Sequence, residues 1–203
     1  TVNLTFAGSS ASPNSTLPTV SNSGGTAINF GSPTEITFTA GVAKVSSAKN
    51  GVMKLSRAGT ASIAVSDGTI SNPIPLAVTA SSASASRLAF SNVAISAGTL
   101  GSACLFTCAV TGLGNSGTVS AKVNVTDSFG NTANAVGTGH AVKVTGGSGT
   151  IAGTPLTIAS TGPAESTTSF TYTSKASGSF TDTLTAATSA GTTYTSATLT
   201  ASK

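Results

Sequence analysis

The sequence predicts an all-β fold arranged as two tandem β-sandwiches. Three observations carry that expectation. Apolar residues alternate with period two along nearly the whole chain. Turn-forming pairs such as Asn50-Gly51 and Asp67-Gly68 separate the alternating runs. A seam of small residues, Thr79-Ala80-Ser81-Ser82-Ala83-Ser84-Ala85-Ser86, divides the chain without a bulky anchor.

The runs can be taken in order. Val2, Leu4 and Phe6 share one strand face, as do Ile36 and Phe38. Ala61, Ile63 and Val65 form the next, followed by Ile74, Leu76 and Val78. Beyond the seam come Leu88 and Phe90, then Val119, Ala121, Val123 and Val125. Val142 with Val144, Leu156 with Ile158, and Phe170 with Tyr172 complete the series. Ser128-Phe129-Gly130-Asn131 and the cluster Gly146, Gly147 and Gly149 supply further turns. No helical periodicity extends beyond one or two turns. The expected domains are residues 1–82 and 86–203. Many short strands in each imply a sandwich or barrel.

Composition limits the chemistry. Charged residues make up 7% of the 203, with one His, no Trp and no Gln. The +4 formal charge comes from nine scattered Lys and Arg against five acids. No basic run and no interleaved aromatics point to nucleic acid. No stretch approaches the roughly eighteen apolar residues of a membrane-spanning helix. The first residues read as a strand rather than a leader, so the chain is expected to be processed or part of a longer one. Abundant Ser and Thr fit outward strand positions, and the regular apolar faces argue against disorder.

Val125-Thr126-Asp127-Ser128-Phe129-Gly130-Asn131 resembles the V-T-D-x-x-G-N strand and turn of bacterial Ig-like repeats of the invasin/intimin kind. Phe170-Thr171-Tyr172-Thr173 and Ser177–Ala186 are similar to that family's closing G-x-Y-T-V-T-A strand pair. Ala85-Ser86-Arg87-Leu88-Ala89-Phe90 resembles the start of such a repeat. The likeness covers most of residues 86–203. The first half is similar in style to tandem Ig-like repeats of large actinobacterial surface proteins, notably at Ser12–Thr16 and Asn50–Leu55. The resemblance implies two Ig-like domains of a surface stalk, adhesin or filament. It implies an extracellular location, neighbouring repeats or copies of itself as partners, no cofactor and no enzymatic role. A subunit of a homopolymeric filament or virion surface is the alternative, because a free Val2-Leu4-Phe6 strand could complete a neighbour's sheet. A carbohydrate-binding module that takes a host or surface glycan is a further one.

Cys104 and Cys108 present three readings. In a regular strand their Cα atoms would stand ~13 Å apart, too far for a disulfide, which needs them within ~7 Å. A turn would bring them together, and the flanking glycines suit one. An even count in a chain read as secreted favours an intramolecular bridge. Buried thiols and bridges to a neighbour remain open.

Few other groups carry chemistry. Asp127 and Asn131 are candidate calcium ligands, but one carboxylate in a turn is too few for a tight site, so turn capping is the expected role. Asp182 shares parity with Phe180, Leu184 and Ala186, which aims it at the core, where a carboxylate needs a partner. An inward acid can promote a Lys–Asn isopeptide bond, but Lys122 is out of phase with the inward residues of its strand. The absence of Gln excludes a Thr–Gln ester cross-link. His140 reads as a strand-end histidine rather than a catalytic one. Tyr172 and Tyr194 are the candidates for stacking on sugar. Thr-x-Thr runs at residues 171–173, 181–185 and 193–195 suit outward strand faces or ice contact. Asn3, Asn14 and Asn124 begin Asn-x-Ser/Thr sequons.

Overall fold

Alternating runs become strands because successive side chains on an extended backbone point to opposite faces. The computed structural model describes residues 1–101, 104–137, 140–159 and 164–203, and contains no helix among them. The chain divides into two compact units, Thr1–Ser82 and Ala83–Lys203.

In the first unit the strands are β1 (Val2–Ala7), β2 (Thr19–Ser21), β3 (Ala27–Asn29), β4 (Thr34–Ile36), β5 (Met53–Lys54), β6 (Gly59–Ser66) and β7 (Leu76–Ala80). One sheet has the order β4-β1-β6-β7 and the other β3-β2-β5. β1 changes partner midway. Val2–Leu4 pair with β4, and Thr5–Ala7 pair with β6. The core is small: Phe6, Val20, Ile36 and Ile63 are buried, with partly buried residues such as Leu4, Phe30 and Met53 packed around them.

The second unit contains β8 (Arg87–Ile95), β9 (Thr99–Leu100), β10 (Thr107–Thr111), β11 (Thr118–Thr126), β12 (His140–Gly146), β13 (Thr150–Ala152), β14 (Leu156–Ile158), β15 (Phe170–Thr173), β16 (Thr181–Ala190) and β17 (Ala197–Ser202). They form a sheet of order β14-β12-β16-β17-β10-β9 and another of order β13-β15-β11-β8. The strand ladders are antiparallel except between β10 and β17, which run parallel, and the isolated bridge between Arg87 and Thr195 is parallel as well. Inward residues of both sheets meet in one core. Val119, Ala121, Val123 and Val125 from β11 face Val142, Val144, Leu184, Leu199 and their neighbours, all buried. The phenyl rings of Phe90 and Phe170 lie 6.0 Å apart within it.

Two runs depart from the sequence pattern for identifiable reasons. Phe38 is 41% exposed because β4 ends at Ile36 and the chain leaves the sheet. Ile74 is 81% exposed. It lies between Pro73 and Pro75, neither of which has an N–H to give a ladder, so β7 begins only at Leu76. The turn pairs also sit differently from tight two-residue hairpins. Asp67 caps a longer β6–β7 connection, accepting the Thr69 and Ile70 amides at 2.8 and 2.7 Å. Those amides hold the Asp67 carboxyl below its ordinary value. Asn50-Gly51 follows the Ser46–Lys49 turn and leads into β5.

Candidate functional site

Asp127 lies at the end of β11 and is 1% exposed. Its carboxylate accepts the amides of Phe129 and Asn131 on one oxygen, at 2.9 and 3.0 Å. The other oxygen accepts Asn131 Nδ2 at 3.0 Å and the Ala83 amide at 2.9 Å. Gly130 takes φ +83°, which the turn requires and glycine tolerates. Asn131 thus turns a donor, not an oxygen, toward Asp127. The pair forms a turn clamp that also holds the start of the second unit. Replacing Asp127 with alanine strands these donors and is expected to cost about 2–3 kcal/mol, measured as the shift in urea unfolding of this unit. Added calcium is expected to leave the wild-type transition unmoved.

Cys104 and Cys108 form a disulfide, with Cα atoms 4.3 Å apart. The turn geometry therefore holds at this spacing: the chain turns at Leu105-Phe106 before β10 begins. Ser102 and Ala103 just before it lie outside the described residues. The loop is tied to both sheets. Leu105 O accepts the Phe90 amide at 2.9 Å, and Phe106 O accepts the Thr198 amide at 3.0 Å. The Arg87 guanidinium stacks 3.7 Å above the Phe106 ring. Because the closed loop is short, reduction is expected to lower stability by ~2 kcal/mol or less. Urea midpoints with and without reductant measure it.

The inward parity of Asp182 holds, since the residue is 7% exposed. Its carboxylate accepts the Tyr172 hydroxyl and, at 2.9 Å, the Ser148 hydroxyl. Tyr172 comes from β15, Asp182 from β16 and Ser148 from the β12–β13 turn, so the cluster ties the two sheets and a hairpin tip together. Burial pushes Asp182 up. Hydrogen bonds from Tyr172 and Ser148, with the charge of Lys175, outweigh it and hold the group below its ordinary 3.8. Burial, then the bond to Asp182 and its charge, raise the Tyr172 phenol to about 12. The glycine cluster makes this approach feasible: a Cβ on Gly149 would collide with the Thr173 carbonyl and lie 2.9 Å from the Tyr172 ring.

Tyr172 and Tyr194 are therefore not sugar platforms. They are 0% and 4% exposed. Tyr172 shares its face with inward Phe170, and the Tyr194 hydroxyl accepts the Val136 amide at 2.9 Å. Its ring lies 5.9 Å from that of His140. His140 opens β12, is 1% exposed, and accepts the Thr192 amide on Nδ1 at 3.3 Å.

Lys122 does not meet Asp182. Its ammonium donates to Glu165 at 3.0 Å. Glu165 also accepts Ser91 at 2.8 Å and the Asn92 carboxamide at 3.1 Å. Lysine, carboxylate and asparagine thus share one patch. Lys122 and Glu165 are 29% and 34% exposed, and the Lys122 bond keeps Glu165 below its ordinary 4.5 against a smaller desolvation. A partly exposed ammonium held in an ion pair is no nucleophile. Peptide mass mapping is expected to show the disulfide and no cross-link between Lys122 and Asn92. Sequence reasoning passed over Glu165, which reaches Lys122 across 43 residues. Its one signal was scarcity, as one of five acids.

On the outward face of the six-stranded sheet, Thr145, Thr185, Thr198 and Thr107 stand side by side on β12, β16, β17 and β10. Thr183 pairs with Thr200 in the next row. The row presents hydroxyl and methyl groups, with exposed Lys143 on the same face of β12 two residues from Thr145.

No family model matches the chain, and no curated protein matches it. Among solved structures it is similar to domains 4 and 5 of the S-layer protein SbsC, at 17% identity over 98% of this chain and 99% of that chain, with a TM-score of 0.25.

Proposed function

We propose that this chain is an extracellular structural module, an Ig-like surface repeat that spaces, displays or adheres. One observation carries the reading: the acids that sequence analysis singled out are engaged by their own fold. Asp127 clamps a turn, and Asp182 ties the two sheets together. The uncharged threonine row fits a surface with few charge-driven contacts. Brief protease treatment of intact native cells tests the location. Peptides of this chain are expected in the supernatant before any cytoplasmic marker. Their release only after lysis would exclude the proposal.

Assembly into a homopolymeric filament or virion surface is the second reading. Here β1 is paired within its own unit, so β7 is the better candidate edge. It ends its sheet, and Ile74 and Leu76 beside that edge are 81% and 56% exposed. Electron microscopy of native material separates ordered assemblies from single particles.

A further inference from the structure

Asn50-Gly51 is the one Asn-Gly pair in the chain. A glycine nitrogen approaches the preceding carboxamide carbon with least hindrance, because no side chain flanks it. In that reaction a bond forms between Gly51 N and Asn50 Cγ, the Cγ–Nδ2 bond breaks, and ammonia leaves. Water then opens the cyclic imide at either carbonyl, giving aspartate or isoaspartate at position 50. Water is the one reagent consumed.

The fold restrains both partners. Gly51 N–H donates to Ser21 O at 2.8 Å. Asn50 Oδ1 accepts the Thr37 amide at 2.8 Å, and Nδ2 donates to Thr37 O at 2.9 Å and Lys44 O at 3.0 Å. The carboxamide is therefore turned into the loop of residues 37–49 rather than toward Gly51 N. Asn50 holds φ +62°, a region that asparagine enters more readily than most residues. The loop it fastens exposes Phe38, Val42 and Val45 at 41%, 57% and 59%.

We infer that Asn50-Gly51 is a self-modification site held in check by the fold, and that its conversion unfastens this loop. The new carboxylate oxygen would face two carbonyl oxygens that had received N–H groups, so both attractions become repulsions. Isoaspartate also inserts an extra backbone carbon. The product would carry one more negative charge and a freed apolar loop.

The test incubates the full chain at mildly alkaline pH, folded and in denaturant, and follows residue 50 by peptide mass mapping. Conversion is expected to be at least about tenfold slower in the folded chain. Equal rates would overturn the protection. The converted fraction is then separated by charge and its amide hydrogen exchange measured. Exchange across residues 37–45 is expected to rise about tenfold while β6 amides keep their protection. Unchanged exchange in the loop would overturn the unfastening. Asn50→Asp should reproduce the released loop, and Asn50→Gly, which tolerates the backbone, should release it without the charge.

Discussion

Asp182→Ala is expected to destabilise residues 83–203 by about 3 kcal/mol, read from urea unfolding followed by circular dichroism. The change leaves the Tyr172 and Ser148 hydroxyls without their acceptor inside the unit. It also removes the tie between β15 and β16. The pH dependence has a definite sign. The folded carboxyl titrates below its unfolded value of 3.8, so its stabilisation is complete above that value. It is lost as pH falls through the folded pKa. Asp182→Asn keeps an acceptor oxygen but removes the charge, so its stability should lose that part of the acid dependence. A wild-type acid profile matching that of Asp182→Asn would remove the carboxylate from the account.

Phe170→Ala is expected to cost about 4 kcal/mol in the same assay, through lost burial and the cavity left behind. Phe170 is 0% exposed and packs against the Phe90 ring from β8. Phe38→Ala provides the contrast. At 41% exposure it lies outside the small core of the first unit, and its cost should stay within about 0.5 kcal/mol. Similar costs at the two positions would mean that the burial pattern is wrong.

The fold was legible where alternation is long and both faces have clear roles. Val119 to Val125 read correctly because four inward residues in phase fix the register of β11. The first unit read less well. Its three-residue strands give periodicity little to act on, and Pro73 and Pro75 remove donors that the apolar pattern of Ile74 to Val78 does not register. At the candidate sites, parity placed Asp182 inside but could not name its partner. The same parity aligned Tyr172 with Phe170 and would have buried it too. Treating the tyrosine as a surface aromatic ignored that phase. Glu165 stayed hidden because its partners Ser91 and Lys122 lie far away in sequence, on β8 and β11. The cysteine pair was read through loop geometry, which four-residue spacing constrains tightly.

Under the proposed function, the buried polar groups serve the fold and the chain resists unfolding as a scaffold. Single-molecule force extension of the full chain tests this most directly. Two separate unfolding events are expected, one for each compact unit, with the disulfide shortening the extension of the second unit until reductant is added. Asp182→Ala should lower the force of that second event alone. Smooth extension without force peaks would exclude a mechanical scaffold.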